Sequence, residues 1–278
     1  MSNLLINSKL LNIFIFFIGL LAALSLAPRV DAQGGPSLTF IGPASYTPGD
    51  GDTYTLAVFH SGTDPISPTL ATDFPAEVTV SWTCDATGTD TSCAAASGDG
   101  NLNQSGDSIA QNGLVTYTLN VDFDAAMTAD PLSVTATLNG GTAEELSETV
   151  TSTRTPVVNL AVAVQPTTAS NPIYVPGCAA GTGDAACTGS TQQLTVNVGN
   201  AGPSLAYGAS LTIDWPTQVT GANWSCAPAS ACDPAQGSGD VATSVDVPVG
   251  SEVVTLTAAL DYASAALTDL SLSAGITA

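Results

Sequence analysis

The sequence predicts an all-β chain, two tandem β-sandwiches preceded by an N-terminal export signal. Three observations carry this prediction. Short segments alternate apolar and polar residues with period two, Gly-, Asp- and Pro-rich turns separate them, and no window sustains helical periodicity. One set of motifs occurs twice in the same order. The first thirty residues differ from all that follow.

The leader comes first. Lys9 precedes an apolar run from Leu10 to Ala27, interrupted only by Asn12, Gly19 and Ser25; Pro28 ends it, and Val30-Asp31-Ala32 offers a small-residue cleavage site. This order describes an export signal over residues 1–32, with cleavage after Ala32. An uncleaved anchor is the competing reading, because the run just reaches the length that spans a bilayer. No later segment is apolar enough to span, so no membrane insertion is expected once the signal is removed.

The following 246 residues read as strands and turns. Alternation marks Tyr54 to Val58, Val78 to Trp82, Val115 to Phe123, Leu132 to Leu138, Leu160 to Val164, Leu194 to Val198 and Val253 to Leu260. Turn clusters lie between them: Pro48-Gly-Asp-Gly-Asp52, Ser97-Gly-Asp-Gly-Asn101, Asn139-Gly-Gly141 and Gly237-Ser-Gly-Asp240. Ala125 to Met127 and Ala263 to Leu267 offer one helical turn each.

The duplication follows. Asp73-Phe-Pro75 matches Asp214-Trp-Pro216 at an offset of 141, and Trp82-Thr-Cys84 matches Trp224-Ser-Cys226 at 142. Asp122-Phe123 matches Asp261-Tyr262 at 139, and Leu132-Ser-Val134 matches Leu270-Ser-Leu272 at 138. A nearly constant offset with small drift is what loop insertions and deletions produce. The repeats are expected at 33–153 and 154–278, joined by a Thr-rich stretch from Glu148 to Val158 that could itself run as a strand between them. The alternating C-terminal stretch to Ile276 is expected as the last strand of the second repeat, or as one that pairs with a neighbour's sheet edge.

Charge and cysteines bound the function. The chain has 24 acidic and 3 basic residues; setting aside Asp31, Lys9 and Arg29 leaves 23 and one, Arg154, a net charge of −22. Such a surface repels phosphate backbones, so no nucleic-acid partner is expected. Six cysteines after an export signal read as disulfides, and their spacing suggests the local pairs Cys84–Cys93, Cys178–Cys187 and Cys226–Cys232. Zinc is disfavoured by the absence of close Cys pairs and the presence of a single His. Trp82 and Cys84 are two apart on a strand and share a face, as do Trp224 and Cys226. Core packing is the expected role of both tryptophans; an exposed ring stacking on a sugar is the functional alternative.

These motifs resemble a known family, the tandem repeat of bacterial and archaeal surface proteins called domain of unknown function 11. The residues that carry the resemblance are Asn200-Ala-Gly-Pro-Ser204, Asp214-Trp-Pro216, Trp224-Ser-Cys226 with Cys232, and Gly237-Ser-Gly-Asp240, with Asp73-Phe-Pro75, Trp82-Thr-Cys84 with Cys93, and Ser97-Gly-Asp-Gly100 in the first copy. The first copy departs from the pattern at His60-Ser-Gly-Thr-Asp64, and Cys178 to Cys187 looks like an insertion. The resemblance implies two immunoglobulin-like sandwiches and exposure at or beyond the cell envelope. It brings no catalytic residues.

No catalytic centre is expected. A Ser-His-Asp triad would have to use His60, which reads as a solvated loop residue. Gly106-Asp107-Ser108-Ile109 looks like a lipase nucleophile motif, but the matching Asp-x-x-His is missing. Calcium is the more credible site chemistry, with weak candidates Asp50, Asp52, Asp99, Asp122 and Asp124 in the company of turn carbonyls. The functional expectation is a secreted or cell-surface structural or adhesive protein whose partner is a protein or glycan, or itself. The alternative is a soluble glycan-binding module.

Overall fold

A computed structural model describes residues 34–139, 145–166, 193–250, 253–262 and 272–278. The described chain is β-structure throughout, apart from one 3-10 turn at Ala229–Ala231. The first ten strands are β1 (Pro36–Ile41), β2 (Ser45–Tyr46), β3 (Gly51–His60), β4 (Thr69–Thr72), β5 (Val78–Thr87), β6 (Ser97–Asp99), β7 (Asn103–Ser105), β8 (Gly113–Phe123), β9 (Leu132–Asn139) and β10 (Glu145–Arg154). They form two five-stranded sheets, in the orders β1-β3-β8-β5-β6 and β2-β10-β9-β4-β7. The other nine are β11 (Leu160–Pro166), β12 (Gln193–Asn200), β13 (Ala206–Asp214), β14 (Val219–Ala227), β15 (Cys232–Asp233), β16 (Gln236–Ser238), β17 (Val241–Val247), β18 (Val254–Tyr262) and β19 (Ser273–Thr277). Their sheets run β11-β12-β18-β14-β16 and β15-β17-β13-β19. No described sheet mixes strands from before and after residue 156, and each pair of sheets encloses its own apolar core. We call the two sets the first and second units.

The cores follow from the alternation. Along β8 every second residue from Gly113 to Phe123 is buried, which turns Val115, Tyr117, Leu119, Val121 and Phe123 inward. In the second unit Val254, Leu256, Ala258 and Leu260 do the same on β18. Trp82 and Trp224 are both buried. Trp82 meets Tyr117 edge-on with ring centroids 5.6 Å apart, the arrangement the ring quadrupoles favour.

The duplication holds at the level of single hydrogen bonds. Cys84 N donates to Ala96 O at 2.8 Å, and Cys226 N donates to Ala235 O at 2.7 Å. Gly100 N reaches Val80 O at 2.7 Å, and Gly239 N reaches Ala222 O at 2.9 Å. Trp82 pairs with Gly98 across β5–β6, and Trp224 pairs with Gly237 across β14–β16. In each case the indole lies over the glycine: an added Cβ would sit 2.7 Å from Cε2 of Trp82 at Gly98, and 2.7 Å from Cε2 of Trp224 at Gly237. Two bridges, Cys84–Cys93 and Cys226–Cys232, close at Cα separations of 6.2 and 6.3 Å, within the span a disulfide covers. Cys178 and Cys187, like the leader, lie outside the described residues.

Two expectations change. The Thr-rich stretch from Glu148 is not a strand running between the units. It belongs to β10, which pairs with β9 from Glu145↔Asn139 to Ser152↔Leu132, so only residues 155–159 separate the last strand of the first unit from the first of the second. Its alternation reflects a face turned to its own core, with Ser152 buried. Ala125 to Met127 form a turn rather than a helical one, since Asp124 Oδ1 accepts from Ala126 N at 2.7 Å and Met127 N closes back on Asp124 O at 3.0 Å.

Candidate functional site

A set of polar contacts outside the sheets lies where the units meet, and the Asn200-Ala-Gly-Pro-Ser204 loop builds it. Asn200 ends β12 with its side chain 2% exposed. Its Oδ1 accepts from Asn159 N and Gly202 N, both at 3.0 Å, while its Nδ2 donates to Ser204 O at 2.8 Å and Val247 O at 3.3 Å. One side chain thus satisfies the backbone of a tight loop and holds the chain entering β11. Gly202 fits because a Cβ there would come within 2.6 Å of Val157 O.

Ser204 then reaches across. It is fully buried; its Oγ accepts from Val157 N at 2.9 Å and donates to Pro48 O in the first unit at 2.7 Å. Leu205 N donates to Ala125 O at 2.9 Å, and Tyr207 Oη to Ala126 O at 2.7 Å. Gly49, at φ +86°, packs against the same loop: a Cβ there would lie 2.7 Å from the Pro203 carbonyl carbon and closer still to its oxygen. The connecting segment is tied down as well, since Thr155 donates to Tyr46 O from its backbone N at 2.9 Å and from Oγ1 at 3.0 Å. Among the described residues the units are therefore joined by a short segment and three direct hydrogen bonds, not by a free tether.

The first unit carries the equivalent loop at His60 to Asp64. His60 was expected as a solvated loop residue; it is the last residue of β3 and only 4% exposed. The alternation of β3 explains this, because His60 falls on the inward row with Tyr54, Leu56 and Val58. Its Nε2 lies 2.8 Å from Asp64 O, as Asn200 Nδ2 does from Ser204 O. A carbonyl only accepts, so Nε2 carries the proton, and Nδ1 is buried without a partner among the described residues. Asn112 N closes onto His60 O at 2.7 Å, as Gly250 N does onto Asn200 O at 3.0 Å. His60 is the loop-holding residue of its unit, the same task with a different donor.

Asp50, Asp52, Asp122 and Asp124 lie at one end of the β3–β8 ladder, where Gly51 pairs with Asp122. Asp99 is two strands away on β6. Two of the carboxylates accept backbone hydrogen bonds: Asp52 Oδ1 from Thr53 N at 2.7 Å within β3, and Asp124 Oδ1 from Ala126 N in the turn after β8. Among the described residues, no three His, Cys, Asp or Glu side chains are grouped as a metal site requires. Asp99, Ser81, Trp82, Thr83, Ser97 and Gly98 line a shallow groove of about 210 Å³. Because Trp82 and Trp224 are buried, neither offers an open ring face to a sugar.

Asp107, met in the sequence only inside a hydrolase-like tetrapeptide, is a structural carboxylate. It is fully buried; Oδ1 accepts from Ala94 N at 2.8 Å and Oδ2 from the Tyr117 hydroxyl at 2.7 Å. Burial first, then the Asp107 hydrogen bond and charge, raise the Tyr117 phenol far above its ordinary value. Ser108 Oγ points to Asp90 O at 3.4 Å.

No family model and no curated protein matches the chain. Among the solved structures similar to parts of it are three. The first is AvmM, which catalyzes macrocyclization in alchivemycin A biosynthesis (11% identity, 47% of this chain, 97% of that one, TM-score 0.33). The second is a family 123 glycoside hydrolase from Clostridium perfringens (12% identity, 41% of this chain, 23% of that one, TM-score 0.25). The third is Salmonella alpha-2-macroglobulin (12% identity, 88% of this chain, 16% of that one, TM-score 0.25). At these scores the likenesses carry no argument about function.

Proposed function

We propose that this chain is a secreted or cell-surface structural protein, not an enzyme, in which two immunoglobulin-like sandwiches serve as a stiff spacer and adhesive body. The observation that supports this reading is the joint. Ser204, Leu205 and Tyr207 bond directly to Pro48, Ala125 and Ala126, and Asn200 braces the loop that presents them. A protein that only had to carry two independent binding modules would be served by a flexible linker. A joint built on the buried, hydrogen-bonded side chains of Asn200 and Ser204, with Tyr207 bonding at its exposed rim, holds the units in one orientation. The local disulfides and the strongly acidic surface suit an oxidising exterior.

Cell fractionation with N-terminal sequencing tests the placement. The reading expects the chain in the medium or on the envelope, beginning at Gln33. Finding it in the cytoplasm, with residues 1–32 intact and its cysteines reduced, overturns it.

A further inference from the structure

The shallow groove over the β5–β6 pair holds polar side chains that the fold itself does not use. Ser81, Thr83, Ser97 and Asp99 line it, with Trp82 and Gly98 between them as its floor. The four polar residues lie on the outward row, Ser81 opposite Asp99 and Thr83 opposite Ser97, and all are exposed. Opposed polar side chains elsewhere on the outward faces bond to each other. Thr53 Oγ1 donates to Asn120 Oδ1 at 3.2 Å, the hydroxyls of Thr135 and Thr149 lie 2.9 Å apart, and Thr255 Oγ1 donates to Asn197 Oδ1 at 3.1 Å. Among the described residues, the four groove side chains have no such partner.

The backbone that carries them is fixed. Cys84 N bonds to Ala96 O at one end of the β5–β6 pair and Gly100 N to Val80 O at the other. The Cys84–Cys93 bridge ties the first end. Asn101 ties the second, accepting from Phe74 N at 2.7 Å and donating to Phe74 O at 2.9 Å. A rigid frame with four unbonded polar side chains around a concavity is preorganised for a small polar ligand, because little is left to order on binding.

We propose that this groove binds one ring of a neutral sugar, with two adjacent ring hydroxyls donating to the Asp99 carboxylate. The hydroxyls of Ser81, Thr83 and Ser97 both donate and accept, as ring hydroxyls do, and a carboxylate takes two hydroxyl donors in charge-assisted bonds. The same carboxylate, in a chain of net charge −21, turns away phosphate, sulfate and uronic acid groups. A volume of about 210 Å³ is below the ~300–1,000 Å³ of a drug-sized pocket and suits a single ring. Trp82 is buried, so no aromatic face stacks on the sugar, and hydrogen bonds in an open groove give a Kd in the millimolar range. The pair Ser81↔Asp99 corresponds to Asn223↔Ser238, so the second unit lacks the carboxylate and does not share the site. The inference names a partner class for the adhesive body and rests on that reading only in placing the chain where it meets glycans.

Amide NMR spectra of the purified, nitrogen-15-labelled full chain test this, titrated to about 50 mM with D-glucose, D-galactose, D-mannose and D-glucuronate. The three neutral sugars between them present adjacent hydroxyls in both the equatorial–equatorial and the axial–equatorial arrangement. At least one of them should shift the amides of residues 81–83 and 97–100 and saturate in the millimolar range, while glucuronate should not. Asp99→Ala should weaken that binding at least about tenfold, and Ser97→Ala about twofold or more, both with the wild-type melting profile. No shift with any neutral sugar, shifts confined to other residues, or binding as tight by Asp99→Ala or of glucuronate overturns the proposal. Those results leave the joint and the surface placement standing, because neither depends on this groove. A cytoplasmic chain would overturn the placement and leave the titration unchanged.

Discussion

Replacing Gly49 by alanine should loosen the joint without damaging either core, and Gly100 supplies the control. Both glycines have positive φ, +86° at Gly49 and +79° at Gly100, so an alanine at either costs about 1–2 kcal/mol in backbone strain. They differ in surroundings. A Cβ at Gly100 meets nothing within 4 Å, whereas at Gly49 it runs into the Pro203 carbonyl. Backbone cannot swing aside as a side chain can, so the loop must back away from Pro48. The three hydrogen bonds across the joint, at about 1 kcal/mol each, are then at risk. A net loss of ~1–3 kcal/mol multiplies the open population about 5- to 150-fold. Trypsin reads that population, because Arg154 is the only Lys or Arg after residue 32 and lies beside the joint. In the closed protein Arg154 Nε donates to Met127 O at 2.9 Å and its backbone N to Asp130 Oδ1 at 3.1 Å. When opening is fast relative to cleavage, the cut rate follows the open fraction. Gly49→Ala should therefore be cut at Arg154 many times faster than Gly100→Ala. Equal rates would refute the claim that the Gly49–Pro203 contact closes the joint.

Further outcomes follow from the cores. Gly98→Ala drives a methyl into the Trp82 indole and should cost ~1–3 kcal/mol in the first unit alone, seen as a lowered urea midpoint; an unchanged midpoint would mean the indole moves freely. Tyr117 carries a folded-state value raised by burial and by Asp107, so its contribution is fully present below its unfolded value near 10 and is lost as pH rises above it. Tyr46 and Tyr54 are raised too, chiefly by burial, so the chain as a whole should weaken above pH 10. Tyr117→Phe should lose ~1–3 kcal/mol at pH 8 by leaving Asp107 Oδ2 unpaired, and the gap to wild type should narrow by pH 11 in denaturant titrations. A constant gap would show that Tyr117 does not titrate with unfolding.

The strands and the repeat were legible because both are written in local order. Period-two alternation sets which residues of β5, β8 and β18 face inward, and the near-constant offset of Trp82 and Trp224 reflects equal strand spacing. The cysteine pairs were legible because each closes a short loop. His60 reads as a loop residue because its neighbours, Ser61, Gly62 and Thr63, have turn chemistry, while its burial is set by parity with Tyr54, six residues earlier on β3. The Thr-rich run of β10 was misread because Thr suits exposed strand faces and linkers alike. The joint left almost no local signal. Ser204 and Pro48 are 156 residues apart, and the need for glycine at position 49 arises only once Pro203 lies against it. Asn200 and Gly202 stood out as a motif, but what their loop holds is a tertiary fact. Asp107 likewise reads as a loop residue until Tyr117 is placed above it.

Residual dipolar couplings measured on both units in one aligned sample test the fixed joint most directly. The account predicts a single alignment tensor that fits the amides of residues 36–154 and 160–277 together, and two separate tensors in Gly49→Ala. Two tensors of different magnitude in the wild-type protein would show the units reorienting independently, and would contradict the stiff spacer.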